Sequence, residues 1–215
     1  GTRVYDMWRR DDFEPLDNED AAEIVAEVMG MIPEYTRLQR VQRDIPADFI
    51  DAGVWKSNLR QLARKKMDDH GWECDCIRCR EVGMNDEDPE NVELDVMTYE
   101  AAGGTEHFIS YEDPDKDLLI GFCRLREPGN PVRRELEDAA LVRELHVYGP
   151  MVEVGDQSHD WQHKGYGKKL LRKAEQLAGD AGYEKVSVIS GIGAREYYRE
   201  KLGYHQDGPY VSKRL

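Results

Sequence analysis

Positive charge is what this chain is short of. It sets 30 Lys and Arg against 44 Asp and Glu, a net charge of −14. Spread over a surface, that balance works against nonspecific nucleic-acid binding. Acid-rich, salt-adapted surfaces look the same, so the total does not choose a partner. Two stretches run the other way, because residues 37–66 and 164–173 are locally basic. Long apolar runs are also missing, and none approaches the ~20 residues of a membrane-spanning helix. No leader with an apolar core opens the chain. A cytoplasmic protein without a membrane is therefore expected. The first residue is Gly1 and not Met, which reads as a fragment or a processed chain. Cysteine is scarce, at four in 215 residues, and three of the four are crowded together. That spacing excludes a disulfide framework spread through the fold. No repeat is visible, and the length allows one large domain or two small ones.

The most informative stretch is Gln162-His163-Lys164-Gly165-Tyr166-Gly167-Lys168-Lys169. It follows an apolar run across a polar loop and opens a segment with helical spacing, with Leu170, Leu171, Ala174, Leu177 and Ala178 on one face. The pattern predicts a strand, a glycine-bearing turn and a helix N-terminus. First-turn amides have no intrahelical partner and carry the positive end of the dipole. Gly165 and Gly167 lack a Cβ, so an anion can approach the backbone. Together with Lys164 and Lys168 this is a pyrophosphate site. A Walker loop fits worse, since Lys169 stands where Ser or Thr is needed. A dinucleotide fingerprint fits worse too, for want of a third glycine. Gln-x-x-Gly-x-Gly resembles the acyl-CoA motif of the GNAT acetyltransferases.

Other elements follow from periodicity and punctuation. Asp17 or Asn18 caps a helix carrying Ala22, Ile24, Val25, Val28 and Met29. Residues 35–43 alternate loosely and predict a strand. A basic, mostly helical connector is expected over 47–69, starting at Ser57-Asn58-Leu59. Short alternating segments at 92–99, 105–111, 118–125 and 140–148 predict an antiparallel meander. A helix over 163–181, a buried strand at 186–189, a short helix at 194–201 and a terminal strand near 208–214 complete an α/β (α+β) chain with a mixed sheet.

Two clusters carry chemistry besides the glycine turn. Cys74-Asp75-Cys76-Ile77-Arg78-Cys79 spaces three thiols as metal ligands, and three thiolates suit tetrahedral zinc. The fourth ligand is open, with His70 and His107 as candidates. Cys123 lies in an apolar run and reads as a core thiol. The cations Arg37, Arg40, Arg43, Lys56 and Arg60 read either as solvated faces or as a phosphate-contacting surface.

Several stretches then agree on one family. Val142-Arg143-Glu144-Leu145-His146-Val147-Tyr148-Gly149, Ile189-Ser190-Gly191-Ile192-Gly193-Ala194-Arg195-Glu196-Tyr197-Tyr198 and Lys201-Leu202-Gly203-Tyr204 resemble the GNAT domain of the Elongator catalytic subunit family. So do Ile77-Arg78-Cys79-Arg80-Glu81-Val82-Gly83, Ser57-Asn58-Leu59-Arg60 and Gln42-Arg43-Asp44-Ile45-Pro46. That family joins a radical-SAM barrel to a GNAT domain and modifies the wobble uridine of tRNA with acetyl-CoA as carbon source. The resemblance implies three parts: a tail of the radical-SAM domain over 1–46, a zinc-bearing linker over 47–90 and a GNAT domain over 91–215. It implies that Glu144, Leu145, His146 and Val147 pair with pantetheine. Gln162, His163, Lys164, Gly165, Tyr166, Gly167 and Lys168 then take the pyrophosphate. Tyr197 and Tyr198 would stand beside the thioester, with Tyr198 also touching CoA, and His146 is a candidate base. Cys74, Cys76 and Cys79 match the family's zinc ligands. The implied partners are the tRNA anticodon stem-loop and the radical-SAM domain, with self-association or accessory subunits open. The 4Fe–4S cluster and S-adenosylmethionine belong to the full-length protein, since the radical-SAM cysteine triplet is not in this chain. Two other functions stay open: a protein lysine N-acetyltransferase, and a non-catalytic tRNA-docking module gated by CoA.

Overall fold

The computed structural model describes residues 1–41, 45–85, 87–149 and 165–215. They form two compact units, Gly1–Cys79 and Arg80–Leu215. None of the described helices is long and apolar enough to cross a membrane.

In the first unit, α1 (Arg3–Trp8) is capped by the Thr2 hydroxyl, which accepts from the Tyr5 amide. Helix α2 (Asn18–Gly30) begins where the sequence predicts, because the Asp17 carboxylate accepts from the Glu19 and Asp20 amides at 2.7 and 2.8 Å. Helix α3 (Leu59–His70) ends on Gly71 in the left-handed region, at φ +68°. The two helices meet through small residues and methionines: Ala26 and Met29 against Ala63 and Met67. Lys66 reaches both Glu19 and Glu23 along the seam. A short helix, α4 (Ile77–Arg80), carries the last clustered cysteine.

The strand expected over 35–43 does not form in its described part. Residues 36–41 are irregular. Their backbone groups bond to helices and not to a neighbouring strand. The Thr36 carbonyl accepts from the Ile77 amide (3.0 Å), that of Leu38 from Arg60 (2.8 Å) and that of Gln39 from Arg78 (2.7 Å). The carbonyls that a sheet would have paired are satisfied instead by two guanidinium groups and one backbone amide.

The second unit is one mixed seven-stranded sheet in the order β1-β2-β3-β4-β5-β7-β6. The strands are β1 (Glu93–Ala101), β2 (Gly104–Asp113), β3 (Leu118–Glu127), β4 (Ala139–Val147), β5 (Lys185–Val188), β6 (His205–Asp207) and β7 (Tyr210–Arg214). The first four are the expected meander. The predicted single terminal strand is instead a β6–β7 hairpin turning at Gly208, whose φ is +58°. Of the neighbouring strand pairs in this sheet, only β4 and β5 run parallel. Helix α5 (Tyr166–Asp180) buries Leu170, Leu171, Ala174 and Ala178 against Ile109, Cys123, Leu125, Val142 and Val186, and α6 (Arg195–Leu202) adds Tyr198 to the same core. Cys123 is fully buried, and burial pushes its thiol up, as expected of a core residue.

Asp113 closes the β2 end of this unit. Its carboxylate accepts from the amides of Glu90 (2.7 Å), Asn91 (3.0 Å) and Asp115 (3.1 Å), which hold it below the usual carboxylate range. A depressed folded value contributes stability above the unfolded pKa of about 4, and that stability is lost as pH falls through the folded value. Asp113→Asn is therefore expected to lower stability at neutral pH and to flatten its decline on acidification. Urea denaturation at pH 7 and pH 3 measures both effects.

Candidate functional site

The site begins with a mismatch of strand lengths. Parallel pairing joins Ala139, Ala140, Leu141 and Val142 to Lys185, Val186, Ser187 and Val188. One further bond runs from the Ile189 amide to the Val142 carbonyl, at 3.0 Å. There β5 ends, while β4 continues to Val147. The β3–β4 register slips between Arg124 and Leu125, which face Glu144 and Val142, so Arg143 is the bulged residue. The Tyr148 amide bonds back to the Ile120 carbonyl on β3, at 2.8 Å. By strand alternation the backbone groups of His146 point the same way. Those of Leu145 and Val147 point away from β3, into the gap that β5 leaves.

The N-terminus of α5 stands beside that gap. Gly165 caps the helix at φ +71°, a left-handed conformation that favours glycine, and no described side chain caps the first turn. The Lys168 and Lys169 amides bond to the Gly165 carbonyl, so the Tyr166 and Gly167 amides precede the first intrahelical bond. A Cβ on Gly167 would lie 3.6 Å from Val147 Cγ2, which places the helix start against the end of β4. The Lys169 ammonium sits over the Tyr166 ring, 5.1 Å from its centroid. Gln162, His163 and Lys164 lie outside the described residues.

Around this edge the two faces of the sheet differ. Tyr198 is buried on the α5 side, edge-on to Tyr204 at 5.5 Å and beside Cys123. Burial first, and then Cys123, push its phenol up to about 12. Tyr197 is 46% exposed and meets Tyr198 edge-on at 6.1 Å. Glu144 and His146 project from the opposite face. Glu144 lies 3.1 Å from His146 Nε2 and accepts from Arg124 Nε at 2.9 Å. His146, then burial and Arg124 set its carboxyl, and the net effect is a lowered pKa. The structure thus brings Glu144 and His146 together, and Tyr197 and Tyr198 together, as two pairs on two faces.

Sequence reasoning missed the support behind Glu144. Arg124 lies against both Phe108 and Phe122, 5.4 Å from each centroid, and donates to the Tyr99 hydroxyl at 3.0 Å. That hydroxyl donates to Glu106, which is 2% exposed and also pairs with Arg126 and the bulged Arg143. These residues come from four strands, and no local motif marks them.

In the first unit, the Cys74, Cys76 and Cys79 sulfurs lie within 4.8 Å of one another. Arg60 and Arg64, one turn apart on α3, donate to them: Arg60 to Cys79 (3.5 Å) and Cys76 (3.9 Å), Arg64 to Cys79 (3.3 Å). Arg64 has a raised pKa chiefly because of that bond to Cys79. Three converging sulfurs with cations aimed at them fit a thiophilic divalent ion bound by thiolates. Neither candidate histidine joins them. His70 Nε2 lies 2.7 Å from Glu23, and its ring stacks on Trp72. His107 is in the second unit, between Thr98 and Glu127. Of the basic residues, Arg40 is exposed and Arg37 and Lys56 are half-buried, while Arg43 lies outside the described residues. The Arg60 guanidinium is engaged by the cysteines and Leu38.

A mixed sheet that splays after its parallel pair, with an open helix N-terminus at the splay, is an acyl-CoA fold. Residues 73–204 match the acetyltransferase (GNAT) family profile, and the chain belongs to that family. Residues 1–69 match the radical_SAM C-terminal domain profile. Over its full length the chain is 49% identical to the tRNA uridine(34) acetyltransferase of Methanocaldococcus jannaschii, covering 41% of that protein. It is 44% identical to the Elongator complex protein 3 of Schizosaccharomyces pombe, again covering 41%. The solved structure of archaeal Methanocaldococcus infernus Elp3 with an N-terminal deletion superposes with a TM-score of 0.91 at 45% identity, over all of this chain and 53% of that one. The chain thus spans about two-fifths of the length of the curated relatives it matches.

Proposed function

We propose that the chain is the acetyl-CoA-binding acyltransferase part of an enzyme that modifies the wobble uridine of tRNA. The observation that carries the reading is the β4 edge at Leu145 and Val147, left open beyond β5 and ending at the α5 N-terminus. An extended pantetheine arm has amides that such an edge pairs with. The CoA pyrophosphate is the anion that the Gly165, Tyr166, Gly167 and Lys168 turn takes, joined by Gln162, His163 and Lys164. Water then attacks the thioester carbonyl, the C–S bond breaks and the leaving thiolate takes a proton from Tyr198. With its phenol at about 12, Tyr198 keeps that proton at neutral pH. His146, held by Glu144, takes the proton of the attacking water from the other face of the strand edge.

Cys74, Cys76 and Cys79 hold zinc in this reading, and the ion supplies a structural cross-link. Arg37, Arg40, Arg43 and Lys56 contact phosphates of the anticodon stem-loop. In the whole protein a radical-SAM barrel would hold the 4Fe–4S cluster and S-adenosylmethionine and would supply the radical chemistry that attaches the released acetate carbon to the uridine, and the assembly works in the cytoplasm.

The test follows acetyl-CoA turnover as free thiol, with and without an anticodon stem-loop. Thiol release that rises with the RNA supports the reading. Release driven by lysine peptides and indifferent to RNA makes this a protein N-acetyltransferase. CoA binding without any thiol makes it a docking module. In the same series, Arg37→Ala, Arg40→Ala and Lys56→Ala combined are expected to weaken RNA binding. The slope of log K against log salt should fall by about 1 for each phosphate deprived of its cation.

A further inference from the structure

The strap at residues 36–41 pairs with no described strand, and its hydrogen bonds converge on the cysteine cluster. The Leu38 backbone lies beside the Cys76 sulfur. The Leu38 carbonyl accepts from Arg60 Nη1 at 2.8 Å, while Nη2 of the same guanidinium lies 3.5 Å from Cys79 and 3.9 Å from Cys76. On either side, Thr36 accepts from the Ile77 amide and Gln39 from the Arg78 side chain, both within the cysteine-bearing segment. Leu38 and Cys74 both pack against the α2–α3 core. The Arg60 fork needs the sulfurs and the strap in place together, and the Thr36 and Gln39 bonds need the cysteine-bearing segment beside the strap. Three thiolates repel one another, and a bound divalent cation removes that repulsion and fixes the sulfurs in place.

We infer that the metal held by Cys74, Cys76 and Cys79 orders the basic strap 36–41 through Arg60, so that metal occupancy sets the geometry of Arg37 and Arg40. Arg60 is a positioning residue. Its fork spans sulfur and carbonyl together, which a lysine ammonium cannot do. The inference rests on the metal reading of the cysteines and on the phosphate-contact reading of the strap.

The experiment loads the chain with Co²⁺ in place of zinc and records the thiolate-to-cobalt absorption band. Amide hydrogen exchange is measured in parallel at Leu38 and Ile77, with metal bound and after chelation. Chelation is expected to speed exchange at both amides and to weaken stem-loop binding, with acetyl-CoA affinity unchanged. Arg60→Met should lower Co²⁺ affinity about tenfold. With Co²⁺ saturating, its Leu38 exchange should match that of the metal-free protein. Arg60→Lys keeps the charge and should recover most of the affinity, but not the slow exchange. A cobalt–thiolate band with strap exchange unaltered by chelation overturns the inference and leaves the metal site standing. If no band appears with the unmodified protein, the metal reading falls and the inference falls with it.

Discussion

Tyr198→Phe is expected to lower acetyl-CoA turnover about 10²–10⁴-fold, the range of a lost general acid, with CoA affinity and melting temperature nearly unchanged. The ring is what packs: Tyr198 lies in the core with Cys123 and Tyr204, and phenylalanine keeps that shape. The atom removed is the hydroxyl oxygen, which makes no hydrogen bond to a described residue, so its removal strands no partner. Single-turnover kinetics with acetyl-CoA, beside calorimetric binding of CoA, separate the two effects. The pH profile adds a sign. A phenol at about 12 stays protonated through pH 10, so the unmodified protein should show no alkaline loss of activity from this group below that value. A variant that turns over normally would remove Tyr198 from the chemistry, whatever its position.

Glu106→Ala should be the costliest change in the second unit outside its apolar core. Glu106 is 2% exposed and faces two guanidinium groups, Arg126 at 3.1 Å and Arg143. Removing one partner of a buried pair leaves uncompensated charge, at a cost of about 3–5 kcal/mol. Arg126 keeps the Ala101 and Ala102 carbonyls, and Arg143 is partly in water, so the low end applies. About 3 kcal/mol corresponds to roughly 6–12 °C in the melting temperature of a unit this size. The effect should not stop at stability. Arg143 is the bulged residue where β4 parts from β5, so freeing its side chain also loosens the edge at Leu145 and Val147. A raised KM for acetyl-CoA is therefore expected well below the melting point. Scanning calorimetry and steady-state kinetics on the same preparation measure both.

What could be read from the sequence was whatever is local. Asp17 starts α2 because a cap and its amides are two and three residues apart. The α5 face, the meander and the thiol spacing are visible for the same reason. Residues 35–41 show the limit. Alternation suggested a strand but could not say what the backbone bonds to, and the donors come from positions 60, 77 and 78. Arg60 was read among the phosphate contacts because a cation in a basic run looks the same whether it faces solvent or sulfur. The first arm of the β6–β7 hairpin was missed because β6 is only three residues long. The Arg143 bulge has no glycine or turn residue to announce it. Glu144 and His146 share a face by strand periodicity, and the structure keeps them there. Their separation from Tyr198 depends on which face α6 packs against, a tertiary fact.

The open edge of β4 has a consequence for how this protein tolerates change. Backbone amides and carbonyls are identical in every residue but proline, so an edge that recognises its ligand through Leu145 and Val147 main-chain groups writes no specificity into their side chains. Variation can drift through those positions as long as packing is kept, and a survey of substitutions would find them permissive. Proline alone removes a donor there. On the proposed reading, the strand edge that pairs with pantetheine is thus a part on which selection acts least through residue identity and most through the length of a neighbouring strand.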